Sequence, residues 1–238
     1  MYVFPVKIAN VSYIACLSFS VPELSCDSMC YCVLGGFLTR QVVPANNSCL
    51  FTSVNYVMEE KDKLDLTSAK PMRELIAGIV RSDPQTYTEA HLGRSNEEYC
   101  AWIMNEASWG GGIEVAILSE HYKIEIAVVN TQYININRFG EDHNYAQRVL
   151  LIYDGIHYDP LALEHVDPAL RKQTKFRTSD EAILTQALEL AREAQSSRQY
   201  TDVSGFSIRC LICQKTFTGQ KEAQQHAKET KHINFSEK

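Results

Sequence analysis

The chain has 238 residues, of which 45% are hydrophobic and 22% are charged, and its formal net charge is −6. These proportions are those of an ordinary globular protein with one good core and room for a small extra module. A negative net charge argues against bulk nucleic-acid binding, which depends on neutralising phosphates with a basic surface. We therefore do not expect nucleic acid among the partners.

The pattern of the eight cysteines indicates the redox state of the compartment in which the protein folds. Their spacing is irregular apart from two that lie near histidines, and a chain of this length can fold without disulfides. A reducing compartment fits this usage better than an oxidising one. We predict a cytoplasmic location.

Residues 1–35 carry the least interpretable part of the sequence. Residues 11–21 are mildly apolar, but they are too few to span a bilayer and make a poor signal peptide. We expect no membrane association. Cys26, Cys30 and Cys32 lack a matching second pair nearby, so we predict no metal site there and treat the segment as uncharacterised.

The first predicted elements surround Cys49. Residues 38–43 indicate a short strand that leads to Pro44, which cannot continue a ladder of hydrogen bonds. Residues 45–48 have turn chemistry with a helix cap, and residues 49–58 carry apolar side chains at a helical period. Cys49 is therefore predicted in the first turn of a helix, where free N–H groups stabilise a thiolate or an oxyanion.

Four further helices are predicted along the chain. The apolar period indicates helices over residues 72–80 and 113–121, and a capping box starts another at Ser95. Glycines at positions 110–112 break that helix. A second capping box, residues 178–181, starts the last of the four helices, which leads into a polar linker.

Two near-continuous apolar runs, residues 123–130 and 149–153, predict strands buried on both faces. Asp154 and Gly155 form a hairpin turn signal, and His157 follows at the rim of the sheet. We predict an α+β (α/β-like) fold with a central, mainly buried sheet flanked by helices.

Cys49 and His157 are the candidates for nucleophilic chemistry. A cysteine nucleophile reacts as the thiolate, which a helix N-terminus and an imidazolium partner both stabilise. Asp159, two residues beyond His157, would hold the imidazole in the correct tautomer and orientation. Taken alone, a free cysteine is more often an inert buried side chain. A lone histidine at this position is likewise more often an ordinary residue at the edge of a sheet. The residues around both positions favour the catalytic interpretation.

The C-terminal region has zinc-finger spacing. Two residues separate Cys210 from Cys213, twelve separate Cys213 from His226, and five separate His226 from His232. Two thiolates and two imidazoles at this spacing form a tetrahedral structural zinc site. Phe217 supplies an apolar core position. A single finger reads few base pairs, so we expect a structural or protein-contacting finger, which would bind Zn²⁺.

Three segments together, residues 44–51, 109–111 and 153–159, resemble the ovarian-tumour (OTU) family of cysteine-protease deubiquitinases. The single finger is similar to that of the branch linked to endoplasmic-reticulum-associated degradation. The resemblance implies an OTU catalytic domain over residues 36–165, a linker and helix over 166–206, and a ββα zinc finger over 207–235.

The resemblance also implies the reaction and its residues. Cys49 would attack the carbonyl of the C-terminal glycine of ubiquitin, His157 would transfer the proton, and Asp159 would orient His157. Backbone N–H groups from Asn46 to Cys49 would stabilise the oxyanion. Residues 96–112 and 139–144 would contact ubiquitin, and the partners would be ubiquitin, polyubiquitin chains and ubiquitinated proteins.

The sequence departs from the family pattern in two respects. Asn46 stands where the family carries an aspartate three residues before the nucleophile. Residues 1–35 leave no room for the UBX-like domain that recruits the AAA ATPase valosin-containing protein, so we do not expect that partnership. Two alternatives to an active hydrolase stay open: a ubiquitin-binding module impaired in catalysis, and a nucleic-acid-binding finger protein.

Overall fold

A computed structural model describes most of the chain. The described residues are 7–8, 11–12, 35–60, 63–167, 169–197, 207–232 and 235–237. The cysteines at positions 26, 30 and 32 lie outside them, as do residues 198–199, the last two of the polar linker predicted over residues 195–199. Within the described part of the chain, every helix is too short or too polar to traverse a lipid bilayer.

The described elements alternate between helices and strands along the chain. In chain order they are β1 (Lys7–Ile8), β2 (Val11–Ser12), β3 (Gly36–Arg40), α1 (Cys49–Glu59), α2 (Ala69–Ser82), α3 (Glu89–Leu92), α4 (Asn96–Met104), α5 (Gly112–Tyr122), β4 (Glu125–Asn130), β5 (Asn135–Phe139), a 3-10 turn (Glu141–His143), β6 (Gln147–Tyr153), β7 (Tyr158–His165), β8 (Phe176–Arg177), α6 (Ala182–Ser196), β9 (Ser207–Cys210), β10 (Thr216–Thr218), α7 (Gly219–Thr230) and β11 (Phe235–Glu237).

The central sheet has the strand order β3-β7-β6-β4-β5, and β8 pairs with β6. Strands β4 and β6 are parallel, and the other pairs are antiparallel. The register of the β6–β7 hairpin places Tyr153 opposite Tyr158. This pairing leaves residues 154–157 as the connecting loop, as the turn signal predicted.

Both faces of the sheet are covered, which explains the continuous apolar runs. All six residues of β4 are buried. Ile126 and Val128 join the core formed with α1, α2, α4 and α5. Ala127 and Val129 join a second core with α6 on the opposite face. Alternation along an extended strand thus supplies apolar side chains to two helical layers. The predicted α+β fold with a buried, helix-flanked sheet is confirmed.

Helix starts are partly as predicted. The capping box at Ser95 is confirmed, with the Ser95 side chain and the Glu98 side chain each bonding the other residue's backbone. The second capping box is wrong, because α6 begins at Ala182, three residues later than the start at Ser179 that a cap at Thr178 predicts. The Thr178 hydroxyl instead donates to the carbonyl of Tyr145. A tertiary contact therefore replaces the local cap.

Strands β5 and β7 have no matching sequence prediction. Strand β5 is polar and half exposed, so it has no apolar run. Strand β7 contains Pro160, which normally argues against a strand. The proline is accommodated near the start of the strand, where its carbonyl accepts a hydrogen bond from the N–H of Gln41.

The C-terminal finger has the predicted two strands and helix, with one more strand. Strand β9 pairs with β10 and also with β11, which makes a three-stranded antiparallel sheet. Phe217 packs against the ring of His226 with a centroid distance of 4.7 Å. The apolar position predicted from the spacing therefore contacts one of the candidate zinc ligands.

Candidate active site

Cys49 is the first residue of α1 and is buried, with 9% exposure. The first hydrogen bond of the helix runs from the N–H of Thr52 to the carbonyl of Ser48. The Cys49 N–H lies 3.4 Å from the carbonyl oxygen of Asn46, which is a long contact. Cys49 therefore sits at the positive end of the helix dipole, as predicted.

The loop at residues 154–157 presents His157 to the site. The carboxylate of Asp154 accepts the N–H groups of Ile156 and His157, at 3.2 and 2.8 Å. Gly155 has a φ of +112°, a conformation that glycine adopts without strain. The Tyr153 hydroxyl donates to the carbonyl of Gly155. Local hydrogen bonds thus fix the backbone on which His157 stands.

His157 lies between Asp159 and Cys49. Its Nε2 atom is 3.1 Å from Oδ1 of Asp159, which is fully buried. Hydrogen bonds to Asp159 and then to Cys49 outweigh burial and raise the pKa of His157 to about 10. The imidazole is therefore protonated at neutral pH. Because Nε2 is held by Asp159, Nδ1 is the ring nitrogen left for the sulfur.

Arg40, which the sequence analysis missed, completes the surroundings of Asp159. Its Nε donates to Oδ2 of Asp159 at 2.5 Å, and the N–H of Val43 donates to Oδ1 at 2.8 Å. Burial alone would raise the pKa of Asp159, but the bonds from His157 and Val43 and the charge of Arg40 hold it below its usual value. Asp159 therefore stays ionised beside His157.

Asn46 belongs to what we call the nucleophile loop, residues 44–48. Its side chain is exposed, and its Oδ1 accepts the N–H of Ser48 at 2.9 Å. Its own N–H donates to the carbonyl of Pro44, also at 2.9 Å. The contacts of Asn46 thus order the loop that leads to the nucleophile. From the sequence, only the resemblance to the OTU family drew attention to this position.

A second loop, residues 108–111, lies against the nucleophile loop, and we call it the glycine-rich loop. The indole N–H of Trp109 donates to Oδ1 of Asn47. A Cβ at Gly110 would lie 2.6 Å from Cδ2 of Leu50 and 3.0 Å from Cζ of Phe51. Only glycine lets this backbone approach α1 so closely.

Two further groups, both missed from sequence, hold the glycine-rich loop. The buried carboxylate of Glu114 accepts the N–H of Gly111 at 2.6 Å and the hydroxyl of Tyr99. Arg73 is 1% exposed and donates to the carbonyl of Ser108 at 2.7 Å. A helical period predicts the burial of such positions and not their hydrogen-bond partners.

A cleft of about 570 Å³ opens beside the nucleophile loop. Its lining includes residues 46–48 of that loop together with Leu66, Lys70, Met104 and Glu106. The mixture of apolar and charged groups indicates a surface suited to a polypeptide segment.

Cys100 and the histidines at positions 121 and 143 have surroundings unlike those of Cys49 and His157. Cys100 is 1% exposed, its thiol donates to the carbonyl of Ala77 at 3.4 Å, and burial raises its pKa. A thiol in this state is a poor nucleophile. His121 and His143 are exposed.

In the finger, the ligand atoms of Cys210, Cys213, His226 and His232 all lie within 4.8 Å of one another. The Cys213 sulfur is 3.3 Å from Nε2 of His226, and the Cys210 sulfur is 3.7 Å from Nδ1 of His232. Two sulfur and two imidazole donors converging on one point fit the tetrahedral preference of zinc.

Comparison with known proteins defines the family. A profile described as an OTU-like cysteine protease matches residues 44–162, which is half of the chain. A second profile, the C-terminal C2H2-type zinc finger of ubiquitin thioesterase OTU1, matches residues 204–238. The chain belongs to the family of OTU-like cysteine proteases. The predicted family membership and C2H2 finger are confirmed.

Curated relatives and one solved structure agree with this assignment. The chain is 59% identical over 200 residues to ubiquitin thioesterase OTU1 of Gallus gallus, covering 84% of this chain and 66% of the relative. For the Homo sapiens protein of the same name the identity is 58%, covering 84% and 57%. A solved OTU domain in complex with ubiquitin superimposes with a TM-score of 0.61 at 29% identity, covering 69% of this chain and 90% of that chain.

The chain thus spans between 57% and 66% of the length of these two relatives.

Proposed function

We propose that this chain is a thiol hydrolase that cleaves bonds to the C-terminal glycine of ubiquitin. The observation that carries the proposal is the contact of Asp159 and Cys49 with the protonated His157, in a chain of the OTU-like cysteine protease family. The name of its relatives, ubiquitin thioesterase, and the ubiquitin bound to a solved OTU domain support ubiquitin as the substrate.

The first half of the reaction uses the cationic His157. The Cys49 thiolate attacks the carbonyl carbon, and the carbonyl oxygen becomes an oxyanion at the N-terminus of α1, where N–H groups and the helix dipole stabilise negative charge. When the tetrahedral intermediate collapses, the bond to the leaving amine breaks and His157 donates its proton to that amine. A thioester between Cys49 and the glycine remains.

The second half releases the product. Neutral His157 now removes a proton from water as the water oxygen attacks the thioester carbon. Collapse of this second intermediate expels the Cys49 thiolate and leaves a free carboxylate on the glycine. The buried Asp159 carboxylate stays ionised throughout and keeps the imidazole oriented between the sulfur and the reacting group.

The finer features of the proposal follow the family resemblance. The substrates are polyubiquitin chains and ubiquitinated proteins in protein quality control, including endoplasmic-reticulum-associated degradation, in the cytoplasm. Residues 96–112 and 139–144 contact ubiquitin. Trp109 supports this placement, because its ring is 55% exposed beside the nucleophile loop.

Zinc is proposed as a structural ion of the finger, outside the reaction. Cys210, Cys213, His226 and His232 would hold it, and the ion would supply the folding energy that so small an apolar core lacks. The catalytic steps need only the side chains and backbone of the OTU domain.

The direct test is labelling with ubiquitin that carries an electrophile at its C-terminus. The probe should modify Cys49, and Cys49→Ala should abolish the adduct. Cys100→Ser is the matched control, because Cys100 is equally buried but has no histidine partner among its described contacts. An adduct that persists in Cys49→Ala and maps to Cys100 would contradict the assignment.

A ubiquitin-binding module without catalysis is the second candidate, and Asn46 is the observation that favours it. The same probe separates the two functions when binding is measured in parallel. A chain that binds ubiquitin in titration calorimetry but forms no adduct with the probe is a binding module. Adduct formation together with turnover of a fluorogenic ubiquitin substrate identifies the hydrolase.

A further inference from the structure

Arg73 connects the two loops that meet at the nucleophile. Its Nη2 donates to the carbonyl of Asn47, at 2.9 Å, and to the carbonyl of Ser108, at 2.7 Å. Its Nη1 donates to the carbonyl of Ile103 at the end of α4, also at 2.9 Å. One buried guanidinium therefore joins the nucleophile loop, the glycine-rich loop and a helix end.

The surroundings hold this guanidinium in place. Its Cζ atom lies over the ring of Phe51, 4.2 Å from the ring centroid, and Phe51 is fully buried in α1. Burial lowers the pKa of Arg73, while the negative charges of Glu106 and Glu114 oppose that shift. An arginine keeps its charge even at such a site, because its ordinary pKa is far above neutral.

We propose that Arg73 is a positioning residue for the thiol reaction, and this inference rests on the proposed function. Its bond to the Asn47 carbonyl fixes the orientation of the Asn47–Ser48 peptide, since the peptide unit is planar. The fixed peptide sets the path of the chain into the first turn of α1, where the oxyanion is bound. Arg73 thus acts through the backbone, because its described hydrogen bonds go to main-chain carbonyls and not to the Cys49 sulfur.

The bond to the Ser108 carbonyl extends the effect to the second loop. Ser108 precedes Trp109, whose indole holds the side-chain amide of Asn47. Two sets of hydrogen bonds therefore join the nucleophile loop to the glycine-rich loop. One set is made by the buried Arg73, and the other by Trp109 at the surface. We expect the two loops to loosen together when Arg73 is replaced.

The chain offers a matched control in Arg148. Arg148 is also fully buried and also donates to two backbone carbonyls, those of Thr178 and Asp180, and it pairs with Glu125. It lies near the start of β6, whereas His157 follows the end of that strand. Replacing Arg148 by lysine loses a comparable set of buried bonds without touching either loop.

The test compares Arg73→Lys with Arg148→Lys, at a temperature where thermal melting shows both variants folded. Lysine keeps the charge but cannot present the two-pronged guanidinium, so some of the bonds from Arg73 are lost. With a fluorogenic ubiquitin substrate, kcat should fall at least about tenfold in Arg73→Lys and stay within about twofold in Arg148→Lys. KM should change less than kcat in Arg73→Lys.

Amide hydrogen exchange gives a readout that does not depend on activity. Exchange should become faster at residues 46–49 and at residues 109–111 together in Arg73→Lys, and should be unchanged there in Arg148→Lys. Arg73→Gln serves as a second variant and should show the same exchange pattern. Unchanged exchange in both loops, or an equal fall of kcat in the lysine variants of Arg73 and Arg148, overturns the inference.

The two proposals fail separately in this experiment. If the unmodified chain does not turn over ubiquitin, the proposed function fails, and the exchange pattern alone decides whether Arg73 positions the loops. If the unmodified chain is active and Arg73→Lys keeps its kcat, the function stands and the positioning role is wrong.

Discussion

Arg40 and Asp159 form an ion pair in which Nε of Arg40 lies 2.5 Å from Oδ2 of Asp159. The other oxygen of Asp159 faces His157, whose imidazole in turn contacts Cys49. Positive and negative groups thus alternate from Arg40 through Asp159 to His157, beside the start of α1. The consequence is that the state of the candidate nucleophile depends on a residue nine positions upstream of it in the sequence.

Replacing Arg40 should weaken both stability and turnover. In Arg40→Gln the fully buried Asp159 loses one of its two cationic partners and keeps only His157, and a hydrogen bond between charged groups contributes about 1.5–3 kcal/mol. We expect a loss of about 2 kcal/mol in the free energy of unfolding, measured in urea, and a fall of about tenfold in kcat/KM. Arg40→Lys should have a free energy of unfolding and a kcat/KM between those of the native chain and those of Arg40→Gln.

The pH dependence of the free energy of unfolding tests whether the effect of replacing Arg40 is electrostatic. The pKa of Asp159 is lowered in the folded protein, so the stability that its ionised form contributes is present above the ordinary value of 3.8. That stability is lost as the pH falls through the lowered pKa. The difference between the native chain and Arg40→Gln should therefore shrink in acid. A difference that grows in acid would assign the effect to packing.

Activity should persist well above neutral pH and fall on an alkaline limb near pH 10. The reason is that the leaving amine needs the proton of His157, whose pKa is raised to about 10 from an ordinary 6.5. In Asp159→Asn the largest cause of that shift is gone, so the alkaline limb of kcat/KM should move down in pH. A limb that does not move in this variant would identify another group as the acid.

Asn46→Asp should raise turnover. The Asn46 side chain already accepts the N–H of Ser48, and a carboxylate of the same shape would accept it more strongly. Because the side chain is exposed, water weakens the gain, and we expect about a twofold to tenfold increase in kcat. Turnover of a fluorogenic ubiquitin substrate measures the increase.

Zinc removal should unfold the finger and leave the reaction largely intact. Residues 207–232 have a very small apolar core, which cannot offset its own ordering entropy without a metal. Chelation, or Cys213→Ser, should abolish the helical circular dichroism of a finger peptide. Hydrolysis of a minimal ubiquitin substrate by the whole chain should change by less than about twofold. The reason is that the contact between His157 and Asp159 lies outside the finger. An equally structured peptide with and without metal would show the site to be misread.

The local pattern determined the elements around the site and indicated the residues that we propose carry the chemistry. Apolar period and capping predicted α1 and the start of α4, and unbroken apolar runs predicted β4 and β6, because these signals depend on neighbours within a few residues. The spacing of Cys210, Cys213, His226 and His232 likewise predicted one cluster, since a small finger brings near neighbours together.

Only the tertiary structure decided which distant groups support that chemistry. Arg40 reaches Asp159 because β3 pairs with β7, and Arg73 reaches Asn47 and Ser108 because α2 packs beside both loops. The helical period places Arg73 on a buried face, but nothing in the residues next to either arginine identifies the group that it bonds. Arg73 bonds to backbone carbonyls and Arg40 bonds to a carboxylate, all of them distant in the sequence. Those contacts exist only after the sheet and helices have packed.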